Sequence, residues 1–190
     1  MNLKYISFFQ VKVKNKISIH RIFSKKERYS FWVLKLCARS KNVEFNAIYE
    51  NEELIGMEYI LKHENTIYLF YLAVNNQYKG RGYGSQVLKD LIKRYKEKVI
   101  ILCTEKPDRN CKDIKSRRKE FYIKNNFYST DTIIKYMGVE FEVLCTSNNF
   151  VIKEKLLKNL YKQMTISILG GPLIDKIFSI SDVIELKQNL

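Results

Sequence analysis

Cysteine, histidine and proline are scarce in this sequence of 190 residues, which contains 4, 2 and 2 of them respectively. None of the cysteines forms a C-x-x-C pair, and two histidines are too few for the clusters that bind zinc in proteins. We therefore expect no metal site. We also expect reduced thiols, as in the cytoplasm, rather than a disulfide framework.

The sequence also lacks apolar runs of the length that membranes require. Charged residues interrupt the N-terminal stretch MNLKYISFFQVKVK before the apolar region of a signal peptide can develop. No apolar run approaches the roughly 18 residues that span a bilayer. The sequence therefore predicts a cytoplasmic protein with no membrane partner.

Acidic residues are outnumbered, because 20 Asp and Glu stand against 34 Lys and Arg, which gives a formal net charge of +14. Such a charge is typical either of an anionic partner, such as nucleic acid or a phosphate-rich cofactor, or of a solvated lysine-rich surface. The lysines are scattered along the whole sequence and form no arginine-rich block. This distribution favours the solvated surface over nucleic acid.

Hydrophobic residues make up 46% of the sequence, enough for one compact domain with its own core. Residues 3–22 alternate between apolar and polar side chains, which predicts one or two strands. Ser24 followed by Glu27 resembles a capping box and predicts a helix over residues 25–39. Three strand-like segments follow, and their short connections predict an antiparallel meander: residues 44–49, 54–61 and 66–74.

The second half of the sequence mixes helices and strands. Apolar residues at helical spacing predict a helix over 84–96, and the β-rich run 99–103 after it should lie parallel to strand 66–74. We then expect a helix, two strands and another helix, at residues 114–125, 133–136, 140–145 and 150–164. The predicted fold class is α+β, with a mixed, mostly antiparallel sheet of six to seven strands, helices on both faces and one parallel pair.

Glycine is concentrated at one point, where Gly80, Gly82 and Gly84 lie between a buried strand and an amphipathic helix. Glycine lets the backbone approach a ligand closely, and a helix start offers unpaired N–H groups and the positive end of its dipole. Lys79 and Arg81 add positive charge. The loop therefore predicts a pyrophosphate site. It matches neither the P-loop pattern GxxxxGK[ST] nor the dinucleotide pattern GxGxxG.

Three motifs in this order resemble the GNAT acetyltransferase superfamily. The family's phosphate loop reads Q/R-x-x-G-x-G/A, which Gln77, Gly80 and Gly82 match directly after a strand and before a helix. The segment RRKEFYIKNNF at residues 117–127 resembles a later helix of the family. The segment KYMGVEFEVL at residues 135–144 resembles the closing hairpin of small bacterial members. The resemblance extends over roughly residues 20–146.

Two positions depart from the family's pattern. Asn126 replaces the glycine of the usual Gly-Phe pair, but asparagine tolerates a left-handed helix end, so we expect the turn to survive. Lys115 replaces an asparagine that contacts the cofactor in many members, which leaves that contact in doubt.

The resemblance implies a GNAT-like domain over residues 1–146 and a C-terminal helical extension over 147–190, packed on the same domain. It also implies acetyl-CoA as the acetyl donor. The backbone at the end of the buried strand would bond the pantetheine arm like an added strand, while the loop and the helix start would hold the pyrophosphate. The implied contacts are Leu72, Ala73 and Val74 for the arm, and Gln77, Lys79, Gly80, Arg81, Gly82, Tyr83, Gly84 and Ser85 for the pyrophosphate.

Acetyl transfer to an amine requires proton transfers. Tyr122 matches the position of the family's general acid, and a phenol can protonate the departing thiolate without a large pKa mismatch. For the base, Glu105 ranks first because it follows the predicted strand 99–103, and Glu58 ranks second. Some members of the family use no single base. A backbone N–H near residues 72–74 is the expected donor to the oxyanion.

The acceptor is left open by the sequence, because the family acetylates small-molecule amines as well as protein and peptide amines, and the fold does not choose among them. One alternative is a degenerate member that binds CoA or nucleic acid without catalysis. Another is transfer of a longer acyl chain, or transfer to a hydroxyl group. Residues 147–190 could cover the acceptor cleft or form the contact of a homodimer.

Overall fold

The computed structural model describes residues 1–22, 31–107, 113–136, 138–153, 155–157, 159–160 and 185–188. The described chain forms four helices and eight strands, with a 3-10 turn after the first strand and another after the fourth. The helices are α1 (Val13–Ile22), α2 (Phe31–Cys37), α3 (Tyr83–Arg94) and α4 (Ile114–Lys124). The strands are β1 (Lys4–Ser7), β2 (Val43–Glu50), β3 (Glu53–His63), β4 (Thr66–Val74), β5 (Val99–Glu105), β6 (Tyr128–Tyr136), β7 (Val139–Cys145) and β8 (Glu185–Gln188).

All eight strands form one sheet in the order β1-β2-β3-β4-β5-β7-β6-β8. The predicted α+β class, the meander β2-β3-β4 and the parallel pairing of β4 with β5 are confirmed, and the other pairings are antiparallel. The sheet has one strand more than the six to seven predicted. The additional strand β8 lies in the segment 147–190 and pairs with β6, while residues 155–157 and 159–160 of that segment are helical.

The prediction of strands over residues 3–22 is wrong beyond β1. Only β1 is extended, and the chain then turns through a short 3-10 helix into α1. Packing decides the outcome, because Phe8, Val11 and Ile19 are buried together in the core beneath the sheet. Their spacing suits a helical path, and this burial outweighs the intrinsic strand preference of the valines and isoleucines. Of the predicted helix 25–39, residues 25–30 lie outside the described residues, and α2 forms part of the remainder.

The parallel pair β4–β5 is joined over only three residue pairs, from Thr66↔Val99 to Tyr68↔Ile101. Beyond that point β4 runs on to Val74 and β5 to Glu105 without further pairing between these two described strands. The strands therefore diverge, and we call the space between residues 69–74 and 102–105 the β4–β5 gap.

A β-bulge shapes the β4 side of this gap. Tyr59 of β3 pairs with Tyr71 and Ile60 pairs with Leu69, so Phe70 is an extra residue in β4. A bulge interrupts the strict alternation of side chains. As a result, Phe70 and Tyr71 both pack against the same core cluster.

The sheet separates two apolar layers. On one side, α1 and α2 cover a core that includes Leu34, Tyr59 and Ile101. On the other side, α3 and α4 cover a core that includes Leu88, Leu102 and Leu144. We call these the α1–α2 side and the α3–α4 side. Among the described helices, none is long and apolar enough to cross a membrane.

Candidate active site

The glycine loop reaches the start of α3 in the conformation that glycine favours. Gly80 and Gly82 have φ angles of 76° and 84°, in the left-handed region where other residues are strained. Gly82 is the N-cap of α3, and no side chain caps this helix start. The first turn contains no acidic residue. The first backbone N–H groups of α3 and the positive end of its dipole are thus available to an anion.

Basic and aromatic side chains surround this helix start. Lys79 and Arg81 are exposed, and the Arg81 guanidinium lies 5.8 Å from the ring centroid of Tyr78. The Tyr78 hydroxyl donates a hydrogen bond to Glu53 at 2.9 Å, and the Tyr83 hydroxyl donates one to Glu50. These two bonds tie the loop to the β2–β3 hairpin. Gln77 is exposed at the start of the loop.

Gly84 brings α3 into close contact with α4. A Cβ atom at Gly84 would lie 3.0 Å from Cζ of Phe121, a distance that real Cβ contacts rarely reach. Because Phe121 precedes Tyr122, this contact links the glycine loop to the helix that carries the expected general acid.

Tyr122 lies on the α3–α4 side, where its ring packs against Phe121 and Phe127 at centroid distances of 5.3 and 5.9 Å. Burial raises the pKa of Tyr122 above its ordinary value near 10, and Arg118 partly offsets this effect. The phenol is therefore protonated at neutral pH. Asn126, which replaces the family's glycine just after this helix, has a φ of 64°, so the expected left-handed turn is present.

Glu105 is the last residue of β5 and borders the gap. Its half-exposed carboxylate lies 4.0 Å from Nζ of Lys115, the residue that replaces the family's asparagine. Ile101 and Cys103 of β5 pack on the α1–α2 side, so strand alternation directs Glu105 to that side. Glu105 thus lies at the end of β5 beside the gap, while Tyr122 belongs to the cluster on the α3–α4 side. The ion pair between Glu105 and Lys115 was not predicted from the sequence.

Cys103 also borders the gap, but its chemistry is unsuited to nucleophilic attack. Burial raises the pKa of the Cys103 thiol to about 12. The reactive form of cysteine is the thiolate, which is then scarce at neutral pH.

Glu58, the second candidate for the base, is occupied elsewhere. It is fully buried, with Oε1 at 2.7 Å from Nη2 of Arg94 and at 3.0 Å from Nδ2 of Asn46, which donates a hydrogen bond to it. Burial raises the pKa of Glu58 against the opposing effect of Arg94. These contacts hold α3 against the sheet and give Glu58 a structural role, and its place as second candidate for the base stays a prediction.

Thr104 is a feature of the gap that sequence reasoning missed. It is buried on β5, yet its Oγ1 has no hydrogen-bond partner among the described residues. A threonine in a β-rich run gives no signal of this kind, because the pairing of neighbouring strands decides whether its hydroxyl finds a partner. In the described part of the chain, no group of three or more His, Cys, Asp or Glu side chains could hold a metal ion.

These features suit a long ligand with an anionic end. The gap exposes strand backbone beyond the last β4–β5 pair, the glycine loop offers N–H groups and positive charge, and the buried Thr104 hydroxyl lacks a partner. The pantetheine arm and the pyrophosphate of acetyl-CoA match these requirements in that order along the chain.

Comparison with protein families gives an independent result. The model described as the acetyltransferase (GNAT) family matches residues 10–113, more than half of the chain. The match contains both strands of the gap and the glycine loop, and it ends before α4. Among curated proteins, no sequence matches this chain significantly.

Solved structures share the fold at low sequence identity. A GNAT-family acetyltransferase from Bacteroides thetaiotaomicron superimposes with a TM-score of 0.68 at 19% identity, covering 88% of this chain and 98% of that chain. The ribosomal-protein-S18-alanine N-acetyltransferase from Escherichia coli has a TM-score of 0.58 at 11% identity, covering 80% and 100%. The PaiA N-acetyltransferase from Thermoplasma acidophilum, in complex with coenzyme A, has a TM-score of 0.53 at 18% identity, covering 75% and 98%. These likenesses establish the fold alone.

Proposed function

This chain belongs to the GNAT acetyltransferase family, and we propose that it is an acetyl-CoA-dependent N-acetyltransferase with Tyr122 as its general acid. The observation that supports the proposal most strongly is that the β4–β5 gap, the glycine loop and the helix of Tyr122 are connected in the fold. The β4–β5 gap leads to the glycine loop, the loop starts α3, and α3 contacts the helix of Tyr122 through Gly84 and Phe121.

The chain's own residues would hold acetyl-CoA in two places. The backbone of Leu72, Ala73 and Val74 lies on β4 beyond the last β4–β5 pair, where it can bond the pantetheine arm. The N–H groups at the start of α3 and the charges of Lys79 and Arg81 suit the pyrophosphate. The full proposed set for the pyrophosphate is Gln77, Lys79, Gly80, Arg81, Gly82, Tyr83, Gly84 and Ser85.

When bound, acetyl-CoA supplies a thioester that an amine can attack, so that a C–N bond forms and the C–S bond breaks. Tyr122 is protonated at neutral pH and can give its proton to the departing sulfur. Glu105 can accept the proton that the amine loses, directly or through water. Exchange with solvent then restores both groups. The two groups belong to different elements, α4 and β5, which suits one donor and one acceptor of protons.

The acceptor of this proposal is a small-molecule amine or the amine of a protein or peptide. Phe70 and Tyr71, which are half-buried on β4, supply aromatic surface on the α1–α2 side of the gap. One structural neighbour is named for alanine of a ribosomal protein, so peptide N-termini belong among the acceptors to be tested. A homodimer, a cytoplasmic location and the division into 1–146 and 147–190 stay predictions from the sequence.

The alternative function is a family member that binds CoA or nucleic acid without catalysis. Two observations support it: Lys115 replaces the family's asparagine and pairs with Glu105, and the net charge is +14. In that case RNA would be retained in a salt-dependent manner while no thiol is released from acetyl-CoA.

The test is a panel of acceptors followed by thiol release from acetyl-CoA. The panel contains polyamines, arylalkylamines, amino acids, aminoglycosides and peptides with a free N-terminus, and each reaction has a matched control without amine. We expect at least one amine to accelerate thiol release and to yield an N-acetyl product by mass spectrometry. Binding of acetyl-CoA without amine-dependent release across the panel would support the non-catalytic alternative.

A further inference from the structure

Thr104 occupies a distinctive place in β5. The last pair between β4 and β5 is Tyr68↔Ile101, so Thr104 lies in the part of the strand that borders the gap. On its other edge, β5 pairs with β7, where Thr104 stands opposite Glu142. Leu102 and its partner Leu144 pack on the α3–α4 side, so strand alternation places the Thr104 side chain on that side too, the same side as Tyr122.

The residue opposite Thr104 is bonded to other groups and not to the Thr104 hydroxyl. The Glu142 carboxylate accepts a hydrogen bond from the Ser129 hydroxyl and lies 2.8 Å from Nζ of Lys119. Thr104 itself is 1% exposed, and its Oγ1 bonds to none of the described residues. By contrast, the buried Thr132 donates its hydroxyl proton to the Thr130 carbonyl at 3.3 Å.

A buried hydroxyl without a partner destabilises a protein, and valine would fill nearly the same volume without that penalty. The hydroxyl is therefore costly for the unliganded protein. The cost is explained if a ligand that enters the gap brings the missing partner. The site is bordered by strand backbone beyond the last β4–β5 pair, which suits an amide-bearing arm rather than a free anion.

We propose that Thr104 is a binding residue for the acyl donor, whose Oγ1 donates a hydrogen bond to a carbonyl oxygen of the pantetheine arm of CoA. This inference rests on the proposed function, because it requires CoA to enter the β4–β5 gap. It assigns a side chain to an arm for which the resemblance implied only backbone contacts. Thr104 thus adds to the affinity for CoA and fixes the position of the arm beside Tyr122.

The experiment compares Thr104→Val, which removes the hydroxyl, with Thr104→Ser, which keeps it. Calorimetry measures the affinity of the full-length chain for CoA and for adenosine 3′,5′-bisphosphate, which lacks the pantetheine arm. Thermal unfolding is followed without ligand. We expect Thr104→Val to weaken CoA binding about 3- to 10-fold, the worth of one neutral hydrogen bond, and to leave the affinity for the bisphosphate unchanged. Its unliganded Tm should rise by about 2–4 °C, while Thr104→Ser should bind CoA like the wild type.

Thr132→Val is the matched control, because it removes a buried hydroxyl that already has a partner. It should lower the Tm and leave CoA affinity unchanged. The inference is overturned if Thr104→Val binds CoA as tightly as the wild type, if its Tm falls or it fails to fold, or if Thr104→Ser weakens binding equally. Failure of the wild type itself to bind CoA would instead refute the proposed function.

Discussion

At the scale of single residues, the environment of Tyr122 decides how it can act. Its ring packs between Phe121 and Phe127, and burial raises its pKa. A raised pKa keeps the acid form dominant to higher pH. The phenol should therefore remain a competent proton donor from neutral pH to at least about pH 10.

We predict that Tyr122→Phe lowers kcat by about 100-fold, because a well-placed general acid typically contributes that much or more. Its Kd for acetyl-CoA should stay within about 2-fold of the wild-type value, since the ring and its packing are kept. Steady-state kinetics and calorimetry provide the two values. Tyr128→Phe is the control, because Tyr128 is exposed on β6. Equal turnover of Tyr122→Phe and wild type would remove Tyr122 from the mechanism.

The pH dependence follows from the same pKa. In the wild type, loss of the Tyr122 proton should not reduce kcat below about pH 10, because its raised pKa lies above that value. A decline of kcat that begins near pH 8 and disappears in Tyr122→Phe would contradict this assignment. The measurement is the pH profile of kcat at saturating acetyl-CoA and amine.

Glu105 gives a second prediction at this scale. Glu105→Gln keeps the size of the side chain but removes its capacity to accept the proton of the amine, so kcat should fall about 10- to 100-fold. The control is Glu64→Gln, since Glu64 is exposed in the β3–β4 turn and its substitution should leave kcat unchanged. If both variants turn over like the wild type, the amine loses its proton to another group.

The sequence nominated individual catalytic residues only where a motif or the chain order marked them, and both nominations stay predictions. Tyr122 came from a family motif, and Glu105 from its position after a predicted strand. The Lys115–Glu105 ion pair and the unpartnered Thr104 hydroxyl were not predictable, because both depend on how β5, β7 and α4 pack. The ion pair of Glu58 was not predictable for the same reason, since Arg94 is distant in sequence and adjacent in the fold.

At the scale of elements, the glycine loop and α3 act as one unit. Gly82→Ala should raise the Kd for CoA at least about 10-fold, because alanine disfavours the left-handed φ of 84° and the first N–H groups of α3 would shift. Gly138→Ala is the matched control. Gly138 has a similar φ of 79° but lies in the turn between β6 and β7.

Both glycine variants should lose about 1–2 kcal/mol of stability from backbone strain, but only Gly82→Ala should lose CoA affinity. Calorimetry with CoA and urea unfolding of both variants test the pair. Equal CoA affinity in the two variants would count against the loop as the pyrophosphate site.

Elements were predictable where periodicity and short turns agreed. The meander β2-β3-β4, the helix α3 and the parallel strand β5 all follow from local patterns, as does α4. The strand prediction failed for residues 8–22, because alternating β-branched residues resemble a strand until the burial of Phe8, Val11 and Ile19 is known. Strand β8 was not predicted, because its pairing with β6 joins segments that are far apart in sequence.

At the scale of the whole molecule, a charge network centred on the buried Glu58 joins α3 to the first three strands. Arg94 binds Glu58 of β3, and Asn46 of β2 donates a hydrogen bond to the same carboxylate. The Arg94 guanidinium also lies 4.5 Å from the ring centroid of Tyr5 in β1, whose hydroxyl donates to Asp90 of α3. The network fixes the helix that begins at the glycine loop.

We predict that Arg94→Met destabilises the protein by about 3–5 kcal/mol, because it leaves Glu58 buried without its cation. Lys62→Met is the control, since Lys62 pairs with the partly exposed Glu44, and such pairs contribute about 1 kcal/mol or less. Urea unfolding measures both free energies of unfolding. Comparable losses in the two variants would mean that the Arg94–Glu58 pair is not the main attachment of α3.

Binding of acetyl-CoA in the β4–β5 gap and on the glycine loop is tested most directly by amide hydrogen exchange. On addition of acetyl-CoA, the amides of residues 72–74 and 82–85 should become protected from exchange. The pantetheine arm would hydrogen-bond the backbone of residues 72–74, and the pyrophosphate would cover residues 82–85. The amides of β1 and β2, at the far end of the sheet, should exchange at an unchanged rate. Saturating acetyl-CoA that leaves residues 72–74 and 82–85 unprotected would contradict the account.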